Sequence, residues 1–142
     1  MDDFDLQPGS VNAPAAGKRP LSSMAPVIVL RDGKPFMTAG SPGATRIITA
    51  LANIVIGVVD FNLDLPGAIV APRFHNGNLT ETAVEGRFPK DVIAALEARG
   101  YKISVKKDLD LYFGGAQGIL FRPDGTLIGM GDPRRDGVAV AY

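Results

Sequence analysis

Residues 26–60 read PVIVLRDGKPFMTAGSPGATRIITALANIVIGVVD, and the punctuation of this stretch decides the fold. Pro26 to Leu30 is a short β run, and Asp32-Gly33 is a strong turn signal. Lys34 to Ala39 follows, with Phe36 in the apolar set, so the first half reads as a β-hairpin. Gly40-Ser41-Pro42-Gly43-Ala44 then breaks the strand. Ser41 suits an N-cap, and Pro42 suits the first helical position, where its missing N–H is not needed. Ile47, Ile48, Leu51, Ile54, Val55, Val58 and Val59 recur at spacings of three and four, which predicts a central buried helix ending near Asp60. Its β-branched residues lower helix propensity, and burial must offset that cost.

Working outward, Leu65 to Ala71 predicts a short helical turn stopped by Pro72, and Glu81 to Val84 a brief strand. Pro89 to Arg99 reads as a surface helix with Val92, Ile93 and Leu96 inward and Gly100 as its stop. Tyr101 to Val105 alternates as a half-buried strand. Ala116 to Phe121 and Thr126 to Met130 flank Pro123-Asp124-Gly125 as a second hairpin, and Val138 to Tyr142 is expected as a last short strand. Residues 1–20 are Pro/Gly/Ala-rich and predict an extended, loop-like arm that lines a site or packs on a partner, ahead of an α/β core at 21–142. The fold class is therefore α+β, with helices packed on an antiparallel sheet in a single domain.

Composition narrows the chemistry. The 142 residues carry 15 Lys+Arg and 15 Asp+Glu, so the basic excess of a nucleic-acid binder is absent. No apolar run is long enough to span a bilayer, so no membrane partner is expected. Cysteine is absent, which excludes disulfides and thiolate nucleophiles, and the lone His75 excludes zinc sites built on several histidines. No metal or cofactor is expected.

Several groups remain as candidates. A strand turning into a helix through Gly43 and Ala44 leaves first-turn N–H groups without intrahelical acceptors, which suits an anion or an oxyanion. Ser22 and Ser23 offer adjacent hydroxyls to a carboxylate, and no histidine adjoins them to make a nucleophile. Asp2-Asp3 suits an amino group or a cation. His75 reads as structural. Asp132 to Gly137 reads as a loop fixed by Arg–carboxylate pairs, with Arg46 expected to pair with one of these acids.

These residues carry a resemblance. Met1-Asp2-Asp3-Phe4, Lys18-Arg19-Pro20-Leu21-Ser22-Ser23-Met24-Ala25-Pro26, Gly40-Ser41-Pro42-Gly43, Ala71-Pro72-Arg73-Phe74-His75 and Asp132-Pro133-Arg134, in this order, are similar to the small subunit of γ-glutamyltranspeptidases. Members of that family are N-terminal-nucleophile hydrolases with a four-layer αββα sandwich. A precursor cleaves itself to expose a threonine, which attacks the γ-glutamyl amide of glutathione or a related donor, with its own amine as base. The acyl group passes to water or to an amino acid or peptide.

The resemblance implies that Asp3 binds the donor's α-amino group and that Ser22 and Ser23 hold its α-carboxylate. It implies that Gly43 and Ala44 supply the oxyanion N–H groups, alanine standing where the family pattern has glycine. The threonine block lies upstream of the Met-Asp-Asp-Phe block in the family, so the chain alone is expected to be inactive without that block and the large subunit. Open sheet edges then predict a homo-oligomer in isolation. The alternatives are a non-catalytic γ-glutamyl- or amino-acid-binding or interaction protein, and an unrelated small enzyme using Asp3, Ser22 and the Gly43 N–H. The parent's compartment stays open between periplasmic or secreted and cytoplasmic.

Overall fold

The computed structural model describes residues 5, 7–77 and 80–142. The hairpin pairs β1 (Val27–Arg31) with β2 (Lys34–Gly40), Val27 opposite Ala39. A second hairpin, β6 (Gln117–Phe121) with β7 (Leu127–Gly131), joins it through β2 to give an antiparallel sheet in the order β1-β2-β6-β7. Period-two alternation puts Val29, Met37, Leu120 and Met130 on one face. Two helices cover that face, α1 (Arg46–Val59) and α2 (Leu65–Val70). Met37, Ile54, Val58, Leu65, Ala68, Ile69 and Ala116 form the core between the layers. Asp64 caps α2, its carboxylate accepting the Gly67 N–H at 2.6 Å, and Pro66 lies in the first turn.

The opposite face of the sheet is open. Ile28 there is 70% exposed and Leu127 59%, with Val138 to Val140 lying alongside. Val138 to Tyr142 form no strand, contrary to the sequence expectation, because no neighbouring strand bonds them.

A second, smaller sheet contains β3 (Phe74–His75), β4 (Thr82–Val84) and β5 (Ile103–Val105). β4 and β5 run parallel, joined by the crossover helix α3 (Lys90–Ala98), a βαβ unit the sequence reading did not expect. Helix α3 buries no residue; Val92 is 39% exposed rather than inward, and Ile93 and Leu96 are half-buried. Tyr101 and Val105 are also more than half exposed while Ile103 and Ser104 are both half-buried, so the expected alternation of that edge strand fails. No helix among the described residues is long and apolar enough to cross a membrane.

The two sheets are tied by buried charge. Arg73, Glu85, Asp132 and Arg134 are each at most 4% exposed. Arg134 donates to both oxygens of Glu85, Nε to Oε1 at 2.6 Å and Nη2 to Oε2 at 2.8 Å, and its Nη1 reaches Asp132 Oδ1 at 3.1 Å. Arg73 Nη1 pairs with Asp132 Oδ2 at 2.8 Å. The C-terminal carbonyls of α2, which lack intrahelical donors, are taken up by the same arginines: Ile69 O receives Arg73 Nη2 and Arg134 Nη1, and Ala71 O receives Arg134 Nη2, all at 2.8 Å. This bears out the Arg–carboxylate loop at Asp132 to Gly137 and extends it to Glu85, at the end of β4. Removing the Glu85 charge leaves the buried Arg73 and Arg134 guanidinium groups to share Asp132 alone. Glu85→Gln is expected to lower unfolding free energy by about 3–5 kcal/mol, read from the urea midpoint; an unchanged midpoint would show the pair to be dispensable.

Candidate functional site

Helix α1 begins at Arg46, not at Pro42 as the sequence suggests. Gly43 has φ +145 and Ala44 has φ +52, both outside the helical region, so the residues expected as a first helical turn form a separate turn before it. Thr45 is the N-cap residue and makes no side-chain cap bond. The cause is a distant contact. Ser41 Oγ accepts the Gly115 N–H at 3.3 Å and donates its own proton to the Pro42 carbonyl at 2.8 Å. Gly114, at φ +85, packs so closely that a Cβ there would lie 2.6 Å from the Pro42 carbonyl oxygen.

The Gly43 and Ala44 carbonyls point into the helix, accepting from Arg46 N and Ile47 N at 3.1 and 3.0 Å. Their N–H groups donate to no acceptor among the described residues. Two unused donors in succession at a left-handed turn form a nest for a negatively charged oxygen, and the start of α1 adds a favourable dipole.

Ser22 and Ser23 lie in the extended segment entering β1; Ser22 is exposed and Ser23 half-buried. Ser22 Oγ accepts only a local bond, from Met24 N at 3.2 Å. Because Val27 opposes Ala39 in an antiparallel pair, residues before Val27 and after Ala39 leave the sheet at the same end. The serines and the Gly43–Ala44 turn therefore share that end. Asp3 lies outside the described residues. The arm behind it folds on itself, with Lys18 Nζ donating to the Val11 carbonyl at 2.6 Å and the Ala13 carbonyl at 3.2 Å.

A polar cavity of about 390 Å³ adjoins the turn, lined in part by Thr45, Arg46, His75, Glu81 and Tyr112. Arg46 does not pair with an acid of the 132–137 loop, as the sequence suggested; its guanidinium stacks on the Tyr112 ring at 4.6 Å, while Asp132 is turned toward Arg73 and Arg134. His75 is 6% exposed, with Nδ1 2.8 Å from Thr49 Oγ1. Burial, and then the nearby Arg46 charge, push its pKa below the ordinary value. In the buried network, burial and then Arg134 lower Arg73. Burial also opposes the charge on Arg134, but Glu85 and Asp132 outweigh it and raise the pKa. Sequence reasoning picked out Arg46 and His75 but missed Thr45, Glu81 and Tyr112, which come from separate elements and carry no shared local motif. Among the described residues no group of three or more potential metal ligands gathers.

Residues 1–142 match the family described as Gamma-glutamyltranspeptidase. The chain is 42% identical over 145 residues to the glutathione hydrolase proenzyme of Escherichia coli K12, which covers 94% of this chain and 24% of that protein. It is 37% identical over 142 residues to the acylase ACY 1 proenzyme of Pseudomonas sp. SE83, covering 99% of this chain and 25% of that one. A solved structure of an acivicin-inhibited γ-glutamyltranspeptidase, described as revealing critical roles for its C-terminus in autoprocessing and catalysis, superposes with TM-score 0.85 at 38% identity, over 96% of this chain and 78% of the matched one. The chain thus spans about a quarter of the length of these curated relatives.

Two outcomes follow from the geometry. A non-glycine residue in the left-handed region costs about 1–2 kcal/mol, partly offset by glycine's greater chain entropy. Ala44→Gly is thus expected to leave stability equal or raise it by up to about 1 kcal/mol; a loss measured by urea unfolding would contradict the strain. Burial, and then the Arg46 charge, disfavour protonated His75 in the fold, so the unfolded chain binds more protons as pH falls below about 6.5. The neutral imidazole's contribution to stability is fully present above the unfolded pKa of about 6.5 and is lost as pH falls below that value and through the lower folded pKa. Unfolding free energies at about pH 8 and about pH 5.5 should differ less in His75→Gln than in the parent chain; an equal difference would place the titration elsewhere.

Proposed function

The chain belongs to the γ-glutamyltranspeptidase family, and from that premise we propose that it supplies the donor-gripping and oxyanion-stabilising part of an amide-cleaving acyl transferase. The observation that carries this reading is the pair of unused N–H groups at Gly43 and Ala44. A threonine Oγ attacks the γ-glutamyl carbonyl, and the threonine's own amine takes the hydroxyl proton. The carbonyl oxygen becomes an oxyanion held by the Gly43 and Ala44 N–H groups. As the intermediate collapses, the threonine ammonium returns that proton to the leaving nitrogen, the C–N bond breaks to release the amine, and an ester remains on threonine. Water or the amino group of an amino acid or peptide then resolves the ester. Ser22 and Ser23 hold the donor's α-carboxylate, and Asp3 its α-ammonium.

The nucleophile and a large subunit lie outside this chain, so the chain alone is inactive. The open sheet face bearing Ile28, Ile119 and Leu127 is the side on which a second sheet stacks, giving the αββα layering. In isolation the same face drives self-association. Relatives carry the names glutathione hydrolase and acylase, and both names are consistent with cleavage of an amide.

The test uses a chromogenic γ-glutamyl anilide with the chain alone and with the chain joined to its upstream threonine block and large subunit. Turnover is expected only in the assembled protein. Ser22→Ala with Ser23→Ala should raise KM by roughly tenfold or more, since bonds to a charged group are lost. Turnover by the chain alone, or serine variants with unchanged KM, would overturn the reading. Saturable binding of glutamate to the chain, with no turnover in any assembled form, would favour a non-catalytic binding protein instead.

A further inference from the structure

The small sheet has a gap in its helical layer. Phe74 pairs with Val84, and Thr82 with Ile103, so period-two alternation sets these four residues on one face. Helix α1 meets this sheet at β3, and α3 meets it at β5. Between them lies a cavity of about 550 Å³, with Asn53 of α1 and Leu96 of α3 both on its walls. Val84 at its base is fully buried, yet α3 buries no residue and Phe74 remains 44% exposed. The helix therefore stands off the sheet and leaves apolar wall uncovered.

The chemistry of the walls selects the occupant. Among the described residues no charged side chain lines the cavity. An ion entering it would lose water and gain no opposite charge, so the occupant is uncharged. Three rings, Phe74, Phe88 and Tyr101, face the space from three segments, and such rings take an aromatic partner edge-on or offset. Two amides supply the polar detail. Asn76 Nδ2 donates to Thr82 Oγ1 at 2.8 Å, which closes one wall. Asn53 Nδ2 donates to the Thr49 carbonyl at 2.7 Å and reaches the Phe74 carbonyl at 3.5 Å. Asn53 Oδ1 accepts no hydrogen bond among the described residues, so the wall offers an acceptor. A volume of about 550 Å³ lies within the range of small-molecule sites. We propose that this cavity binds an uncharged aromatic molecule carrying an N–H or O–H donor, of the indole or phenol class. Its ring lies among Phe74, Phe88 and Tyr101, and its donor meets Asn53 Oδ1. Neither the serine pair nor the Gly43–Ala44 turn lines this cavity, so the assignment is independent of the function proposed above.

The test is an amide NMR titration of the full 142-residue chain with indole, its donor-free analogue benzofuran and the anion indole-3-acetate. Indole should give saturable shifts at Asn53, Phe74, Leu96 and Tyr101, and indole-3-acetate should bind about tenfold or more weakly. Asn53→Leu should lower the ratio of indole to benzofuran affinity by about threefold or more, the loss of one hydrogen bond. Leu96→Trp fills the space from a half-buried position and should abolish indole binding while the α1 amide shifts stay in place. If that variant does not fold, the acetate and Asn53→Leu comparisons decide. No saturable shift at these residues, indole-3-acetate binding as tightly as indole, or a ratio unmoved by Asn53→Leu would overturn the assignment. Shifts at the same residues that follow protein concentration without ligand, together with a dimeric mass, would show a second copy covering this face and would overturn it as well.

Discussion

Asp132 is the carboxylate on which the arrangement turns. Its Oδ2 pairs with Arg73 and accepts the Ala116 N–H at 2.9 Å, while its Oδ1 accepts from the Arg134 backbone N–H at 3.0 Å and from Arg134 Nη1. One fully buried side chain thus fixes the end of β7, the entry to β6 and, through Arg73 and Arg134, the last turn of α2 and the end of β4. Desolvating four charges is costly, and an apolar cluster of equal volume would often be as stable. What charge adds is direction: a guanidinium donates along fixed vectors, so the carbonyls of Ile69, Ala71 and Phe113 each receive a bond in one relative placement.

That placement reaches the candidate site in a few steps. Asp132 holds Ala116, and the preceding Gly114–Gly115 loop lies against Ser41 and Pro42. The loop takes the Ser41 hydroxyl that would otherwise cap a helix beginning at Pro42. The chain leaves the helical region at Gly43 and Ala44 instead, and their N–H groups have no acceptor among the described residues. A contact between residues 74 positions apart outweighs a capping preference of about 1 kcal/mol.

This explains what could be read from the chain and what could not. Both hairpins, the apolar face of α1, the short helix before Pro72 and the Arg–carboxylate character of the 132–137 loop follow from local pattern, because each is set by neighbours within a few residues. The start of α1 does not, since Gly114 decides it from across the sheet. Glu85 looks like any acid after a strand until Arg134 reaches it. The parallel β4–α3–β5 unit was hidden because strands of three residues carry too little alternation to show their partners. In the candidate site, the sequence blocks single out Gly43, Ala44 and the serine pair, whose roles are those proposed above. The polar cavity was not legible, because Arg46, His75, Glu81 and Tyr112 converge only in three dimensions.

On this account the buried network and the Gly43–Ala44 turn form one cooperative unit. Amide hydrogen exchange at Ala116 and Gly115 tests it most directly, because these N–H groups bond to Asp132 and to Ser41 respectively. If the account holds, both exchange only through global unfolding, with the same free energy as the α1 core amides. If Gly115 exchanges through a low-energy local opening while Ala116 stays protected, the turn is not held by the network and its unused N–H groups need another cause.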